Sequence, residues 1–205
     1  MEYWNNRYLD NGKIWGTEPS KTALYALKLF KKYDIIKILI PGSGYGRHTK
    51  FFSKNEYEVT GIEISETAMN IAKGFDSDSK LILGSVLNMP FNDERYDAIF
   101  CHSFLHLLLR NERGLFIEKC YNQLREGGLA FFTVFSEQES SFGRGAKIEE
   151  NTFESKLYRP THYFTERDLL DHFKTFSVIE TGIIEETESH GGLHTHRLRY
   201  IFLQK

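Results

Sequence analysis

The chain has 205 residues and a formal net charge of −2, from 26 Lys or Arg against 28 Asp or Glu, which argues against a protein whose main task is to hold a nucleic-acid backbone. Hydrophobic residues make up 40% of it and aromatic residues 15%, which excludes a disordered chain and indicates a single globular domain over 1–205. No apolar run reaches the roughly 18 residues of a membrane helix and the polar start lacks a signal peptide's apolar stretch, so we expect a cytoplasmic protein without a membrane partner.

Helical and strand-like periods alternate along most of the chain. Residues 1–34 are an N-terminal extension that ends in an amphipathic helix over 20–33, behind a Ser20 cap. The β-branched run Ile35 to Ile40 predicts a buried parallel strand, and Pro41-Gly42 ends it. Further strands are predicted at 58–62, 80–84, 96–101 and 129–135, with helices at 66–73 and around Ile117 to Leu124, the last stopped by Gly127-Gly128. This alternation indicates right-handed crossovers into a parallel, doubly wound α/β sheet.

The last part of the chain has a different pattern. The stretch 137–164 is polar, rich in turn residues and too long for an ordinary connection, so it is a candidate substrate lid. Thr165 caps a further helix. Strand-like runs at 177–184 and 195–203, joined by Gly191-Gly192, indicate a terminal antiparallel hairpin.

A glycine-rich loop at 42–46 follows the first strand and leads into a helix. Its glycines let the backbone turn sharply and approach a ligand, while free N–H groups of the helix face the same cleft. Glu63 ends the second strand, where a carboxylate can accept hydrogen bonds from both hydroxyls of a ribose above the loop. The spacing is G-x-G-x-G, and Arg47 stands where a dinucleotide fingerprint has its third glycine, which disfavours a nicotinamide-dependent oxidoreductase. No phosphate-binding G-x-x-x-x-G-K-[ST] loop is present.

The glycine loop and Glu63 belong to a longer pattern that includes Gly84 to Phe91, Tyr96 to Phe100 and Leu124 to Gly128. Over about residues 35–136 this pattern resembles class I S-adenosylmethionine-dependent methyltransferases. Residues 1–20 further resemble the small-molecule branch that includes tellurite-resistance and thiopurine methyltransferases. The resemblance implies a Rossmann-like seven-stranded sheet of order 3-2-1-4-5-7-6 with an antiparallel last strand, in agreement with the predicted hairpin.

The same resemblance implies roles for the matching residues. The loop would pass beneath the methionine part of S-adenosylmethionine, Glu63 would hold the ribose and Ile64 would pack on the adenine. Ser85 and Val86 would reach the adenine edge, and residues 101–103 would line the floor near the sulfonium. The implied cofactor-binding residues are Tyr8, Trp15, Pro41, Gly42, Ser43, Gly44, Gly46, Glu63, Ile64, Ser85, Val86, Cys101 and His102.

Two features of this set leave alternatives open. Many family members have an acidic residue where Pro41 stands and an aspartate where Ser85 stands, so we expect weakened rather than abolished cofactor binding. Tyr8 and Trp15 either shield the sulfonium, a cation that aromatic faces attract, or simply pack against the sheet.

Eight histidines are present, and several are expected near the cleft. His102 follows the fourth strand, and His194 and His196 point to one face of the last strand because side chains alternate. We predict these three as catalytic groups that remove a proton from the methyl acceptor near neutral pH. His106 is either a further cleft residue or a helix residue bonded to a backbone carbonyl. We assign no metal ligands, although His190, His194 and His196 leave metal binding open.

Methyl transfer from S-adenosylmethionine to a small molecule, such as a thiol or a metalloid oxyanion, is therefore the leading hypothesis. The alternatives are a non-catalytic S-adenosylmethionine-binding protein and the nicotinamide-dependent oxidoreductase. DNA is not expected as a partner, because DNA amino-methyltransferases resemble one another in an Asp/Asn-Pro-Pro-aromatic motif where this chain has Cys101-His102-Ser103-Phe104. An RNA or protein acceptor, a monomer and a homodimer all stay open.

Overall fold

The structure, a computed structural model, describes residues 2–91, 93–189 and 191–205. The helices are α1 (Glu2–Asn11), α2 (Lys21–Phe30), α3 (Arg47–Ser53), α4 (Glu66–Phe75), α5 (Arg110–Gln123) and α6 (Glu166–His172). The strands are β1 (Lys37–Pro41), β2 (Glu58–Glu63), β3 (Lys80–Leu83), β4 (Tyr96–His102), β5 (Leu124–Phe135), β6 (Ala146–Glu149), β7 (Thr152–Lys156), β8 (Arg159–His162), β9 (Ser177–Glu188) and β10 (His194–Gln204). In the described ranges no helix combines the length and the apolarity that crossing a lipid bilayer requires.

The main sheet has seven strands in the order β3-β2-β1-β4-β5-β10-β9. The first five strands of the chain pair in parallel, whereas β10 runs antiparallel to both β5 and β9. Numbered within this sheet alone, the order is 3-2-1-4-5-7-6, which confirms the predicted fold class and the terminal hairpin. The remaining strands form a separate small antiparallel sheet in the order β6-β7-β8.

The central strands are buried on both faces, which explains their continuous apolar runs. In β1, Ile38 and Ile40 pack with α2 and α3 in one core cluster, while Leu39 between them belongs to the cluster on the α5 and α6 side. In β4, Phe100 and Cys101 divide between the two clusters in the same way. Residues that follow each other in a strand therefore serve opposite layers of the protein.

Helix caps were predictable from single residues. The Ser20 hydroxyl accepts the N–H of Ala23 at the start of α2, and the Ser65 hydroxyl accepts the N–H of Ala68 at the start of α4. The Thr165 hydroxyl caps α6 in the same manner. Each cap satisfies a backbone donor that has no partner inside its helix.

Two local expectations are wrong. The first strand begins at Lys37 rather than at Ile35, because the Asp97 carboxylate accepts the N–H groups of Ile36 and Lys37 and fixes the entry into the strand. Gly127-Gly128 does not stop α5 but lies inside β5, where Gly127 has φ of 71° and the pairing with β4 shifts register. The change of conformation that the glycines permit is thus a bulge in a strand.

The stretch 137–164, the candidate substrate lid, contains the β6-β7-β8 sheet. Its aromatic side chains form their own cluster, with the Phe142 ring 5.5 Å from Phe153 and 5.4 Å from Tyr163. This cluster supplies the apolar contacts that the polar composition of the stretch conceals. We keep the name lid for residues 137–164.

Candidate active site

A cavity of about 970 Å³ lies at the carboxyl ends of β1, β2 and β4, near the upper end of the roughly 300 to 1,000 Å³ of small-molecule sites. In an open α/β sheet this edge is where ligands bind, at the point where the strand order reverses. The glycine loop, α1, the lid and the β9-β10 hairpin all contribute to its walls. Its size exceeds what one cofactor needs and leaves room for a second molecule.

The glycine loop turns the chain from β1 into α3. Gly42, Gly44 and Gly46 have φ of 67°, 57° and 87°, in the left-handed region that side chains disfavour. The N–H of Ser43 donates to the carbonyl of Ile62 at 3.0 Å, which holds the loop against the end of β2. The loop backbone is therefore both tightly turned and fixed in place beside the cavity.

Glu63, the last residue of β2, ties this loop to its own turn. One carboxylate oxygen accepts the N–H of Gly44 at 2.8 Å, and the other accepts the N–H groups of Ile64 at 2.9 Å and Ser65 at 2.8 Å. Burial raises the pKa of this carboxyl, and the three backbone hydrogen bonds oppose that shift. The carboxylate also borders the cavity, where the oxygen bonded to Gly44 can accept a further hydrogen bond from a ligand hydroxyl.

The aromatic residues of the N-terminal segment line the cavity and also pack on one another. Trp15 stacks on Tyr45 at 6.1 Å between ring centroids, and the backbone N–H of Trp15 donates to the Tyr45 hydroxyl at 3.2 Å. Tyr8 lies over the loop, so near that a Cβ atom built on Gly44 would come within 2.8 Å of its hydroxyl. Tyr8 and Trp15 therefore pack on each other and on Tyr45, and together they form one wall of the cavity.

The third-strand side of the cavity is formed by Ile64, Ser85 and Val86. The Ser85 hydroxyl accepts the N–H of Leu87 at 3.3 Å and caps the short 3-10 turn Val86–Asn88. It lines the cavity at the position where the family resemblance puts an aspartate.

Most of the predicted site residues line one cavity, namely Tyr8, Trp15, Gly42, Ser43, Gly44, Glu63, Ile64, Ser85, Val86, His102, His194 and His196. Pro41, Gly46 and Cys101 do not, and the predictions for them need correction. Pro41 is the buried end of β1, and a side chain on Gly46 would meet Thr49 and Ala72 in the protein interior. Neighbours in a strand face opposite sides of the sheet, so Cys101 points into the α5 core whereas His102 points to the cavity. Burial in this core raises the pKa of the Cys101 thiol.

Three histidines, the buried His48 and His106 and the partly buried His102, form the floor of the cavity beyond the glycine loop. The His48 and His102 rings meet edge to face at 4.9 Å, and His48 Nε2 lies 3.0 Å from the Ser20 hydroxyl. His102 Nδ1 lies 3.0 Å from the Thr133 hydroxyl. His106 stacks on Phe135 at 4.2 Å and is in a 3-10 turn, where its Nδ1 faces the Phe135 N–H at 3.4 Å rather than a carbonyl.

These rings are neutral at pH 7. Burial, with the positive charge of Arg47 in addition, lowers the pKa of His102 to about 4. Burial likewise lowers the pKa values of His48 and His106 well below the usual range. His102 can therefore orient a ligand by hydrogen bonding but is a weak base, since a general base works best with a pKa near the working pH.

A second group of side chains lies on the hairpin and differs in charge. His194 Nε2 and His196 Nε2 are 3.0 Å apart, which confirms that both rings share one face of β10. His196 Nδ1 lies 2.8 Å from Glu139, and its Nε2 lies 3.9 Å from Glu188. Burial lowers the pKa of His196, but the hydrogen bond and charge of Glu139 outweigh it and the pKa is raised. His190 lies outside the described residues.

Sequence reasoning missed His48, Glu139 and Glu188. The hairpin register would have revealed Glu188, which pairs with His194 across the strands. His48, two residues after the last loop glycine, is in the first turn of a helix that faces the cavity. No local signal marks Glu139, whose other oxygen accepts the N–H of Arg197 at 2.8 Å.

Another acidic residue of the hairpin, Glu186, has a structural task. Its carboxylate accepts the N–H groups of Lys21 at 2.8 Å and Thr22 at 3.0 Å and the Thr22 hydroxyl at 2.7 Å. It thereby binds the positive end of α2 and fixes the hairpin to the N-terminal extension.

The lid covers the side of the cavity next to the hairpin and adds positive charge there, from Arg144, Lys156 and Arg159. It is anchored at its far side, where the Glu149 carboxylate accepts the N–H of Arg110 at 3.0 Å and lies 3.5 Å from the Arg113 guanidinium. The lid is therefore held against the first turn of α5.

The family model described as a methyltransferase domain matches residues 39–132, from β1 into β5. No curated protein matches the chain significantly. A SAM-dependent methyltransferase of known structure from Methanosarcina mazei is 20% identical with a TM-score of 0.74, and the alignment covers 87% of this chain and 96% of that one.

Two further solved structures match nearly all of the chain. One is the 1,6-didemethyltoxoflavin-N1-methyltransferase of Burkholderia thailandensis with bound 1,6-didemethyltoxoflavin and S-adenosylhomocysteine. It is 20% identical with a TM-score of 0.74, and the alignment covers 100% of this chain and 86% of that one. TehB from Haemophilus influenzae is 17% identical at a TM-score of 0.68, with 98% of this chain and 67% of that one aligned. At such identities the similarity establishes the fold.

Proposed function

We propose that the protein transfers a methyl group from S-adenosylmethionine to a small molecule held beneath the lid, since residues 39–132 match the family model of a methyltransferase domain and two structures of similar fold hold S-adenosylhomocysteine or S-adenosylmethionine. The observation that carries the proposal is the Glu63 carboxylate, bonded to the glycine loop and exposed to a cavity large enough for two ligands. When bound, S-adenosylmethionine supplies an electrophilic methyl group on a positively charged sulfur.

The residues at the loop fit such a cofactor. Gly42 and Gly44 border the cavity and carry no Cβ, so a ligand can approach the loop backbone closely. We assign the ribose hydroxyls to Glu63, because two hydroxyl donors match a buried carboxylate. Ile64 and Val86 give the base an apolar surface, and Tyr8 and Trp15 give the sulfonium an aromatic wall.

The acceptor lies at the other end of the cavity, between the lid and the hairpin. We assign His194 and His196 as the groups that contact its nucleophilic atom and take part in removing its proton, and His102 as a group that orients the acceptor by hydrogen bonding. Methyl transfer depends mainly on alignment of the reacting atoms, so these side chains position the acceptor as well.

The acceptor class we favour is a thiol or a metalloid oxyanion. Arg144, Lys156 and Arg159 supply positive charge around the acceptor end, which suits an anionic nucleophile. The fold similarity to 1,6-didemethyltoxoflavin-N1-methyltransferase supports a small acceptor, since that structure holds 1,6-didemethyltoxoflavin beside S-adenosylhomocysteine.

Calorimetry tests the cofactor assignment. S-adenosylhomocysteine is titrated into the wild-type protein, Glu63→Gln and the matched control Glu58→Gln, which removes an exposed carboxylate from the other end of β2. We expect Glu63→Gln to weaken binding about 10- to 100-fold, as loss of charged hydrogen bonds does. The control should bind as the wild type does, and equal affinity in all three proteins would contradict the assignment.

A panel of acceptors then tests turnover. Labelled S-adenosylmethionine is incubated with a small thiol, tellurite or selenite, and the labelled methylated products are separated from the cofactor by chromatography. Methylation of a panel member, reduced when the lid cations are replaced by Gln, supports the acceptor class. Tight cofactor binding without methylation of any member would favour the non-catalytic binding protein.

A further inference from the structure

The β9-β10 hairpin brings two imidazoles and one carboxylate together at the acceptor end. His194 pairs with Glu188 across the hairpin, and His196 follows two residues later on the same face. The Nε2 atoms of the two rings are 3.0 Å apart, and Glu188 Oε2 is 3.9 Å from His196 Nε2. One possible ligand atom of each residue lies within 4.8 Å of the others.

The second nitrogen of each ring defines which nitrogen carries the hydrogen. His194 Nδ1 lies 2.8 Å from the carbonyl oxygen of Gly192, and His196 Nδ1 lies 2.8 Å from the Glu139 carboxylate. These oxygens only accept hydrogen bonds, so each Nδ1 is the donor. The Nδ1 atoms are thus engaged away from the cluster, and Nε2 is the nitrogen by which each ring faces the other ring and can bind a metal ion.

We propose that His194, His196 and Glu188 bind one divalent transition-metal ion, with Zn²⁺ as the probe, at the acceptor end of the cavity. Two imidazoles and a carboxylate form a ligand set that leaves a coordination position open. Ligand atoms about 2.0 to 2.2 Å from zinc are separated by roughly 3 to 3.5 Å, so the observed spacing needs only small side-chain shifts. Glu139 and the Gly192 carbonyl hold the rings from behind, as partners of metal-bound histidines do.

The charges around the site are consistent with one cation. Glu188 and Glu139 bring two carboxylates to the site, and Nη1 of Arg47 lies 3.7 Å from the Glu188 carboxylate. Glu186 is engaged by the start of α2 and does not reach into the ligand set. The ligand side chains are largely buried but border the cavity, which provides the entry path.

One consequence rests on the proposed function: the open coordination position of the metal ion would bind the nucleophilic atom of the methyl acceptor. A thiol or hydroxyl acceptor would bind as its anion, with its proton released to solvent, because a bound metal ion lowers the pKa of its ligands. His194 and His196 would then act on the acceptor through the ion. The metal thus selects acceptors that carry a sulfur or oxygen ligand atom.

Metal binding is measured directly on full-length protein without a histidine tag, after chelator treatment and dialysis. Co²⁺ titration is followed by visible absorption, and Zn²⁺ affinity is measured by competition with a chromophoric chelator. The variants are His194→Gln, Glu188→Gln and Glu139→Gln. Matched controls are Glu185→Gln, an exposed carboxylate of the same strand, and His172→Gln on α6, with circular dichroism of every variant to verify folding.

We expect one ion per chain in the wild type and in both controls. His194→Gln and Glu188→Gln should lose at least about 100-fold in affinity, and Glu139→Gln about 10- to 100-fold, as removal of a partner behind a ligand does. Absence of stoichiometric binding, or binding that the ligand variants leave unchanged, would overturn the proposal. S-adenosylhomocysteine calorimetry on the same variants should stay at the wild-type value, so failure of the metal site is distinguishable from failure of the cofactor site.

Discussion

The two ends of the cavity are built in different ways. The cofactor end consists of backbone groups and one carboxylate from short segments at the ends of consecutive strands, 42–46, 63–65 and 85–86. The acceptor end consists of side chains that are remote in the sequence, from α3, β4, the lid and the final hairpin. The first end follows from local chain geometry, whereas the second exists only once the sheet, the lid and the hairpin have assembled.

The largest expected effect comes from a side chain in the loop backbone. Gly44→Val should abolish measurable binding of S-adenosylhomocysteine, because a β-branched residue disfavours φ of 57° and its Cβ would lie 2.8 Å from the Tyr8 hydroxyl. Calorimetry measures the loss. The control is Gly74→Val in α4, where an added Cβ meets no atom within 4 Å, and its binding should match that of the wild type. Retained affinity in Gly44→Val would show that the loop does not carry the ligand.

The contrast between the two ends of the cavity also explains which parts of the protein can be predicted from its sequence. The fold and the cofactor end depend on hydrophobic period, glycines and one acidic residue after a strand, all visible locally. The prediction that Cys101 binds the cofactor is wrong, because side chains alternate along β4 and Cys101 faces the core whereas His102 faces the cavity. Glu139 was not predictable, since its contact with His196 joins residues 57 positions apart.

A change at the acceptor end should separate turnover from cofactor affinity. His196→Gln should lower the rate of methyl transfer about 100-fold or more, because it removes a group that acts on the nucleophile. S-adenosylhomocysteine affinity should change less than about 2-fold, since the hydrogen bonds of Glu63 are untouched. Single-turnover kinetics and calorimetry give the two values. A parallel loss of both would mean that the two ends are not independent.

The smallest expected effect is on stability. Burial holds the pKa of His102 at about 4 and that of His48 well below 6.5, so the unfolded chain takes up protons first as the pH falls below about 6.5. The free energy of unfolding should therefore decrease between pH 6.5 and 5, by up to about 1.4 kcal/mol per pH unit for each such ring. Urea unfolding in the presence of a chelator measures this, and His48→Gln should flatten the slope. A slope that is equal in both proteins would contradict the assignment of His48 as neutral.

The central claim is that a sulfonium nucleoside binds across the glycine loop with its sugar on Glu63. A crystal structure of the protein grown with S-adenosylhomocysteine tests it most directly. The account predicts electron density in the cavity between Gly44 and Ile64, with the ribose hydroxyls within hydrogen-bond distance of the Glu63 carboxylate. Density for the ligand elsewhere, or a cavity closed by Tyr8 with no ligand in it, would contradict the account.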